Sequence, residues 1–510
     1  MAATIRAAEN IKIYKPKLIL GISNLHQVDL KMNILFIVPT PGYGLKEPGK
    51  KLKRRIAGLF PSLGVALLAT ILKNAGHKCK VLDLQVNPCT PEMLLQEIKT
   101  FKPGAICLSL LTASAYGGFI IVDLIRKEEK DVPIICGGQH VSLFPEKTLL
   151  DNKGIDYVVF GEGEYKLLNL IDAIENNKPV NKVKGIYYRQ GNKVLATENA
   201  PLIQNLDELP IPSREFFDMN KYIPVPNQYK RLPVTNLITS RGCTYRMCKF
   251  CNESGPLHTN YRRYSVERTI REIKYLINTY GVRDIYFWDD EFVFDKKWIN
   301  DFCDALKVEK IDITWSCCAK VNYVAPEILK KMASVGCWVI LYGIESGDQT
   351  LLNNIRKGQT LKQIRDAIKW TQDAGIEAKG SFMLGLPGET PELARKTIDF
   401  AIDLDLDFAI FCLTTPYPGT KLYDEFVGKD SIKDVDFSKY TSFAPIYLPE
   451  GYDNREQLIQ LHKEAYRRFY LRLGYLKRRM KLLRTKDDFL KYITGVKYLI
   501  KSKVIKSTGL

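Results

Sequence analysis

The stretch Ser240-Arg-Gly-Cys243-Thr-Tyr-Arg-Met-Cys248-Lys-Phe-Cys251 decides how the rest of the sequence is interpreted. It places three cysteines within nine residues, directly after an apolar segment at residues 236–239. Three thiolates this close in the chain can bind a zinc ion or a metal cluster. Zinc at a structural site usually has four protein ligands, and His258 could supply the fourth. A [4Fe–4S] cluster bound by three thiolates keeps one iron free for a substrate or cofactor.

Short apolar segments alternate with amphipathic segments across residues 231–430. About six strand–helix units in this range predict a full or partial parallel (β/α) barrel, whose functional groups lie at the carboxyl ends of the strands. The three cysteines follow the first strand, at that end, and this position favours a reactive cluster over a structural zinc ion. The predicted strands are residues 236–239, 284–288, 313–317, 338–343, 378–383 and 408–414.

The same alternation across residues 32–165 predicts a separate α/β domain with a doubly wound parallel sheet. Ligands of such sheets lie beyond the carboxyl ends of the strands. The small or polar residues at these ends suggest a large ligand lying flat on the sheet edge. The predicted strands are residues 34–38, 79–82, 105–110, 134–136 and 157–160. The candidate ligand-binding residues are Thr40, Pro41, Asp83, Gln85, Ser109, Leu110, Thr112, Gly137, Gly138, His140, Gly161, Glu162 and Gly163.

Three further ranges complete the expected organisation. Residues 1–31 are expected to be an N-terminal extension, residues 166–230 a proline-containing connector, and residues 431–510 a basic helical C-terminal region. No signal peptide or membrane-spanning segment is recognisable, so we expect a cytoplasmic protein with reduced thiols.

The charge is distributed unevenly along the 510 residues, which carry a formal net charge of +18. Residues 461–510 contain 15 Lys or Arg and only 3 Asp or Glu. Such a segment is either a solvated surface or a contact for an anionic partner such as a membrane. The composition, with 45% hydrophobic residues, excludes a disordered chain and a coiled coil.

The cysteine stretch resembles the cysteine motif of the radical S-adenosylmethionine (SAM) superfamily. That family usually has three and then two residues between its cysteines, whereas this sequence has four and then two. Phe250 matches the family's aromatic position. Segments 287–291, 315–320, 343–347 and 380–390 match further family segments in the same order. The resemblance implies that Cys243, Cys248 and Cys251 bind a [4Fe–4S] cluster.

A SAM site is also implied by the resemblance. The acidic residues after the second strand correspond to the group that holds the methionine ammonium, the segment at residues 345–346 lies near the ribose and carboxylate, and a glycine-rich strand approaches the adenine. Lys320 stands where relatives often have Arg, and a lysine lacks the planar fork for a bidentate carboxylate contact. The implied SAM-binding residues are Asp289, Asp290, Glu291, Lys320, Glu345, Ser346, Gly380, Gly385 and Glu389.

The N-terminal domain resembles the cobalamin-binding, Rossmann- or flavodoxin-like domain that precedes such barrels, through residues 61–64, 80–83, 137–140 and 156–164. Members of that family often ligate cobalt with the histidine of an Asp-x-His-x-x-Gly loop. Gln85 stands at the histidine position here, so we expect no cobalt ligand from this loop. His140 is either a contact of the corrin ring or a histidine in a turn.

The implied activity is that of an oxygen-sensitive radical enzyme. A 5′-deoxyadenosyl radical abstracts hydrogen from an unactivated carbon, which then takes a methyl group from methylcobalamin. The alternatives are a non-methylating cyclase, oxidase or ring-contracting enzyme, and a cofactor-binding or redox-sensing module without turnover.

The range 465–472 resembles the arginine-aromatic helix of a subgroup that includes anaerobic magnesium-protoporphyrin IX monomethyl ester cyclase and hopanoid-modifying enzymes. That subgroup implies a large apolar, lipid-like or tetrapyrrole substrate. It also implies an electron donor such as flavodoxin or ferredoxin and possible peripheral contact of the basic tail with a membrane. We expect no nucleic-acid partner, since the extra RNA-binding domain of transfer-RNA-modifying relatives is missing.

Overall fold

A computed structural model describes residues 31–40, 45, 59–222, 224–257, 260–426 and 435–481. Pro41, His258, almost all of the expected N-terminal extension and the basic tail beyond residue 481 lie outside the described residues. Within the described residues, no helix is both long and apolar enough to cross a bilayer.

The N-terminal domain is built on a seven-stranded sheet with the order β2-β1-β3-β4-β5-β6-β7. The first five strands run parallel, and β6 and β7 add an antiparallel hairpin. This confirms the predicted doubly wound sheet, but the hairpin lies in the range expected to be a connector. The strands are β1 Asn33–Val38, β2 Lys78–Asp83, β3 Ala105–Ser109, β4 Ile134–Gly137, β5 Tyr157–Val159, β6 Ile186–Gln190 and β7 Lys193–Ala196. The helices are α1 Leu63–Asn74, α2 Pro91–Phe101, α3 Thr112–Glu128, α4 Gln139–Leu143, α5 Pro145–Asp151 and α6 Glu164–Glu175.

Strand β1 shows why this sheet is covered on both faces. Its residues are apolar at nearly every position, as expected for a central parallel strand. Ile34, Phe36 and Val38 belong to a core shared with α1 and α6. Leu35 and Ile37 belong to the opposite core, shared with α2 and α3.

The second sheet has six parallel strands in sequential order, from β8 through β11, β12, β13 and β14 to β15. No pairing joins β8 to β15 among the described residues, so the sheet is a partial barrel, as the sequence predicted. A short antiparallel pair, β9 and β10, follows the first strand. The strands are β8 Val234–Leu237, β9 Ser240–Arg241, β10 Arg262–Arg263, β11 Asp284–Phe287, β12 Thr314–Ala319, β13 Cys337–Glu345, β14 Glu377–Leu384 and β15 Phe408–Leu413. The helices are α7 Val266–Tyr280, α8 Lys296–Val308, α9 Pro326–Ser334, α10 Gln349–Asn354, α11 Leu361–Asp373, α12 Pro391–Asp403, α13 Lys421–Phe426, α14 Arg455–Tyr470 and α15 Leu473–Lys481.

The two-residue period of the strands separates an outer core from the barrel interior. Phe287, Tyr342 and Phe411 face outward and pack against the surrounding helices, and the Tyr342 hydroxyl lies 2.7 Å from Thr371 Oγ1 on α11. Cys317 also belongs to this outer core, as expected for a packing cysteine. The residues of opposite parity therefore face inward, namely Tyr286, Cys318, Leu341, Gly343, Lys379, Ser381, Ile410 and Cys412.

Side chains of α14 cover the open edge of the last strand. The Tyr470 hydroxyl donates to the Ala409 carbonyl at 2.7 Å and accepts from the Ala409 N–H at 3.1 Å. His462 Nε2 lies 2.9 Å from the Phe411 carbonyl. These bonds satisfy backbone groups that would otherwise form an unpaired sheet edge.

The two domains meet through buried contacts. Arg214, fully buried in the range between the domains, forms an ion pair with Glu272 of α7 at 3.2 Å and donates to the Asn236 carbonyl of β8 at 2.9 Å. The ring of Phe60, just before α1, lies 5.7 Å from Tyr286 in the barrel. The junction is therefore a packed interface rather than a loose linker.

Candidate active site

The cysteine loop leaves β9 through two left-handed backbone positions. Gly242 has a φ of 81° and Arg246 a φ of 48°. The turn at Arg246 lies within the longer spacing between the first two cysteines, and its side chain points to Asn260 at 3.4 Å. The neighbouring Tyr245 hydroxyl donates to the Arg356 carbonyl at 3.0 Å. The loop thus accommodates its additional residue in an outward turn.

The second half of the loop is a tight turn fixed by one serine. The Cys251 N–H donates to the Cys248 carbonyl at 3.2 Å. The Ser254 hydroxyl lies 2.8 Å from the Cys248 carbonyl and 2.6 Å from the Cys251 carbonyl, so it can donate to either. Between the cysteines, the Lys249 N–H donates to the Ile355 carbonyl at 3.0 Å. All three cysteines are half-buried and free of disulfides.

Burial raises the pKa of the Cys251 thiol to about 12, and it also raises that of Cys248. A bound metal would hold these groups as thiolates despite that burial. Among the described residues, no three His, Cys, Asp or Glu side chains form a site for a single metal ion. Each of the three thiolates can bind a separate iron of a [4Fe–4S] cluster, so the donor set fits a cluster.

An ion pair that the sequence did not predict lies beside Cys248. Lys357 Nζ is 2.6 Å from Glu345 Oε1, and both side chains are almost fully buried. Gly343 leaves room for this pair, because a Cβ there would lie 2.5 Å from Glu345 Oε1 and 2.7 Å from Lys357 Nζ. Lys357 follows Glu345 by twelve residues in no recognisable motif. Lys320 adds a second cation, with Nζ 3.1 Å from the centroid of the Tyr245 ring.

The three acidic residues after β11 have different surroundings. The Asp289 carboxylate accepts from the Thr239 hydroxyl at 2.6 Å and from the Ser240 hydroxyl at 2.5 Å, so it fixes the start of the cysteine loop. The Glu291 carboxylate accepts from the Lys320 N–H at 3.0 Å. Of the three, only Asp290 lines the cavity that lies between the two domains. Loss of solvation, together with the charges of Glu253 and Asp289, raises the pKa of Asp290 to about 7.

The other predicted SAM-binding residues are placed differently from one another. Ser346 is fully buried, and its hydroxyl accepts from the Asp348 N–H at 3.1 Å. Gly380 faces the outer core, where a Cβ would lie 2.7 Å from Leu406 Cδ1. The buried Glu389 carboxylate accepts from the Gly385 N–H and, at 2.6 Å, from the Tyr452 hydroxyl. A side chain at Gly380 would therefore collide with the outer core, and backbone contact with adenine there stays a prediction.

A cavity of about 520 Å³ lies between the two domains. The wall on the side of the N-terminal domain is formed by the carboxyl ends of the first sheet's strands. The opposite wall includes the residues at which the cysteine loop begins. Of the predicted residues in the first domain, the cavity is lined by Ser109, Gly137, Gly138, Gly161, Glu162 and Gly163. Residues that the sequence analysis did not single out also line it, among them Gly64, Leu67, Leu68, Ile238, Arg241, Gly242 and Trp288.

Glycines keep the N-terminal wall of the cavity bare. A Cβ at Gly64 would have nothing within 4 Å, and one at Gly137 would meet only the Val159 carbonyl, at 3.9 Å. Gly138, with a φ of 103°, is required for another reason, because a Cβ there would lie 2.7 Å from the Leu110 carbonyl oxygen. A wall that lacks side chains at several positions leaves room for a flat ligand such as the corrin ring of cobalamin.

The remaining predicted residues of the first domain do not line the cavity. Asp83 is buried and accepts from the Tyr222 hydroxyl at 2.7 Å and from the Gln85 N–H at 3.0 Å. His140 is buried, and its ring lies 4.8 Å from that of Phe437. Burial lowers the pKa of His140 to about 4, so the ring is neutral at physiological pH. Thr40, Leu110 and Thr112 also lie outside the lining.

Comparisons with known proteins agree with this geometry. Residues 237–401 match the Radical SAM superfamily, and residues 49–171 match the B12 binding domain. An uncharacterized methyltransferase of Pyrococcus horikoshii is 34% identical over 86% of this chain and 93% of its own length. The anaerobic magnesium-protoporphyrin IX monomethyl ester cyclase of Rubrivivax gelatinosus is 29% identical over 87% of this chain and 78% of its own.

A solved structure shows the same two-domain fold. The radical S-adenosylmethionine methyltransferase TsrM from Kitasatospora setae, determined with cobalamin and a [4Fe–4S] cluster bound, aligns with a TM-score of 0.65 and 18% identity over 86% of this chain and 88% of its own. This likeness concerns the fold; the family match over residues 237–401 and the 34% identical relative show that the chain belongs to the radical SAM superfamily. Its N-terminal domain is a B12-binding domain, so its cofactors are a [4Fe–4S] cluster, SAM and cobalamin.

Replacing Gly64 by Phe is expected to weaken binding of hydroxocobalamin at least about tenfold, or about 1.4 kcal/mol, because the ring would occupy the cavity. Absorbance titration of the purified protein measures this. Gly64→Ala is the matched control and should bind almost normally, since its methyl group meets no neighbour. Unchanged affinity in a folded Phe variant would contradict the assignment of the cavity.

Proposed function

We propose that this protein is a cobalamin-dependent radical SAM methyltransferase that modifies an unactivated carbon of a mainly apolar small molecule. The observation that carries the proposal is the single cavity that extends from the bare glycine wall of the B12-binding domain to Gly242 and Asp290 beside the cysteine loop. A substrate carbon placed there could be reached from both cofactor regions. The similarity to the methyltransferase of Pyrococcus horikoshii supports the same reaction class.

When bound, the three cofactors supply a hydrogen-abstracting radical and a transferable methyl group. The chain's part is to hold and shield them. Cys243, Cys248 and Cys251 hold the cluster, and Asp290 offers a carboxylate to the ammonium of SAM. The Lys357 ammonium is balanced by the Glu345 carboxylate, 2.6 Å away.

The two products that the enzyme can form from SAM distinguish the reaction classes. Reduced and reconstituted protein, given dithionite or flavodoxin, is expected to form S-adenosylhomocysteine and 5′-deoxyadenosine in about equal amounts per methylated product, since methyl transfer consumes SAM in two ways. Liquid chromatography with mass spectrometry measures both products. Cys251→Ala should form no 5′-deoxyadenosine. Formation of 5′-deoxyadenosine alone would favour a cyclase, as in the relative of Rubrivivax gelatinosus, and formation of neither would favour a module without turnover.

The barrel interior supports a substrate that is apolar with one anionic group. The inward-facing residues of the last three strands are small or apolar, and they are half-buried at Leu341, Ser381, Ile410 and Cys412. Lys379 faces the same interior, is only 3% exposed and has no ion pair with Asp or Glu among the described residues. Burial lowers the pKa of this lysine to about 8. The Lys379 Nζ donates to the Asn227 carbonyl at 3.5 Å. A neutral carbonyl does not balance the charge of a buried ammonium, which an anion would stabilise further.

The substrate is expected to be a lipid-soluble acid. Organic extracts of the source cells should stimulate 5′-deoxyadenosine formation by the wild type, and the active component should move into the aqueous phase at alkaline pH. Lys379→Met should lose most of the stimulation, about tenfold, while still binding cluster and cobalamin. Lys362→Met, on the exposed face of α11, is the control. Stimulation by a water-soluble cation, or full activity of Lys379→Met, would contradict this substrate class.

We further propose that the protein is cytoplasmic and contacts the membrane through α15. Tyr475 and Arg479 anchor one face of this helix, with Arg479 Nη1 2.9 Å from Glu377 of β14. Leu473, Leu476 and Met480 lie on the opposite face and are 74%, 40% and 63% exposed. An apolar face next to basic residues is typical of helices that lie on anionic membranes.

Replacing Leu473, Leu476 and Met480 by Glu is expected to reduce flotation with phosphatidylglycerol-containing vesicles at least about threefold, because burial of the apolar side chains drives the insertion. Vesicles of phosphatidylcholine alone should bind the wild type weakly, and added salt should weaken binding to the anionic vesicles. Val308→Glu on α8, at a valine that is 78% exposed, is the control. Equal flotation of the triple variant and the wild type would disprove the contact.

A further inference from the structure

Two arginines of the barrel domain bind two glutamates of the B12-binding domain at the domain junction. Arg241 Nη1 lies 2.9 Å from Glu162 Oε1, and its Nη2 donates to Glu164 Oε1. Arg262, the antiparallel partner of Arg241 in the β9–β10 pair, binds Glu162 with both terminal nitrogens, at 2.6 and 3.0 Å. We call these four residues the junction network.

The junction network is shielded from solvent. The side chains of Arg262 and Glu164 are 5% and 7% exposed, and that of Glu162 is 14% exposed. Although burial alone would raise it, the arginines hold the pKa of Glu162 below its ordinary value. Charges this well shielded and paired keep a defined geometry, unlike flexible ion pairs on a surface.

Each end of the junction network is continuous with one cofactor region. Arg241 precedes Cys243 by two residues, with only Gly242 between them. Glu162 lies between Gly161 and Gly163, which belong to the bare wall of the cavity. The sequence suggested Glu162 as a cobalamin contact, but its carboxylate is occupied by the two arginines. The network therefore joins the loop that holds the cluster to the loop that faces cobalamin.

We propose that the junction network couples the two cofactor sites, so that cobalamin binds more tightly once the cluster has ordered the cysteine loop. The inference rests on the cofactor assignment given above. A loop fixed by its cluster fixes Arg241, which in turn fixes the glutamate between the two cavity glycines. Coupling of this kind is reciprocal, so cobalamin should also slow loss of the cluster. Arg241 and Arg262 act here as positioning residues.

The test compares the affinity for hydroxocobalamin before and after anaerobic reconstitution with iron and sulfide. For the wild type, the dissociation constant should fall about tenfold on reconstitution, within the usual range of coupling between sites. For Arg241→Lys and Arg262→Lys, the ratio of the dissociation constants before and after reconstitution should fall below about twofold, because lysine cannot bind two carboxylate oxygens in parallel. Arg262 does not line the cavity, so its effect cannot come from a lost contact with cobalamin.

The control is Arg126→Lys, which alters an ion pair between Arg126 and Asp156 within the B12-binding domain, 2.5 Å long and away from the junction. This variant should keep the tenfold ratio. An unchanged ratio in both junction variants, with cluster content and circular dichroism equal to the wild type, would overturn the proposal, and so would a wild-type ratio of one. Failure of the wild type to assemble any cluster would instead overturn the cofactor assignment itself.

Discussion

Both cofactor regions depend on the hydrogen bonds that the buried carboxylate of Asp289 accepts. It lies at the end of β11 and accepts hydrogen bonds from the backbone and hydroxyl of Thr239 and from the hydroxyl of Ser240. A carboxylate that is only 2% exposed is stable in the fold only when its oxygens are satisfied in this way. Since β8 and β11 are neighbouring parallel strands, the bonds hold their carboxyl ends together. The cysteines and Arg241 follow directly, so their positions derive from this contact.

The alternation of strands and helices could be predicted from sequence because buried parallel strands are apolar at successive positions. The β6–β7 hairpin was missed because the prolines in residues 166–230 favour a connector; the signal that could have found it is Gly191-Asn192 between two short runs of β-prone residues, of which Ile186 and Tyr188 are buried. In the acidic segment, the residue types were predictable but their roles were not. Asp289 and Glu291 bind backbone groups, whereas Asp290 between them faces the cavity, because the chain bends directly after β11.

Two glycines within strands also show that the sequence predicts a residue type but not its role. Gly343 and Gly380 are both required because a side chain would collide with neighbours. At Gly343 the neighbours are the buried ion pair of Glu345 and Lys357, and at Gly380 they are apolar side chains of the outer core. Gly380 pairs with Tyr342, the strand neighbour of Gly343, so the two glycines face opposite sides of the sheet. Both glycines lie in segments that match the family. Only the register of β13 and β14 shows that one glycine borders the buried ion pair and the other borders the outer core.

The open side of the barrel follows from how its two edges are covered. At the last strand, Tyr470 and His462 satisfy the free backbone groups from outside, so no further strand is needed there. At the first strand, Phe60 of the B12-binding domain packs with Val234 and Tyr286. The half of the interior near β8 is therefore occupied by the chain itself, whereas the half near β13 to β15 keeps small and apolar walls. Lys379, near the start of β14, lies at the far end of that half from the carboxyl ends of the strands, where the cysteine loop begins. The Glu345 and Lys357 side chains on the β13 wall neutralise each other, so Lys379 is the cation that would orient the proposed substrate, with its anionic end toward that far end and its carbon skeleton toward the carboxyl ends of the strands.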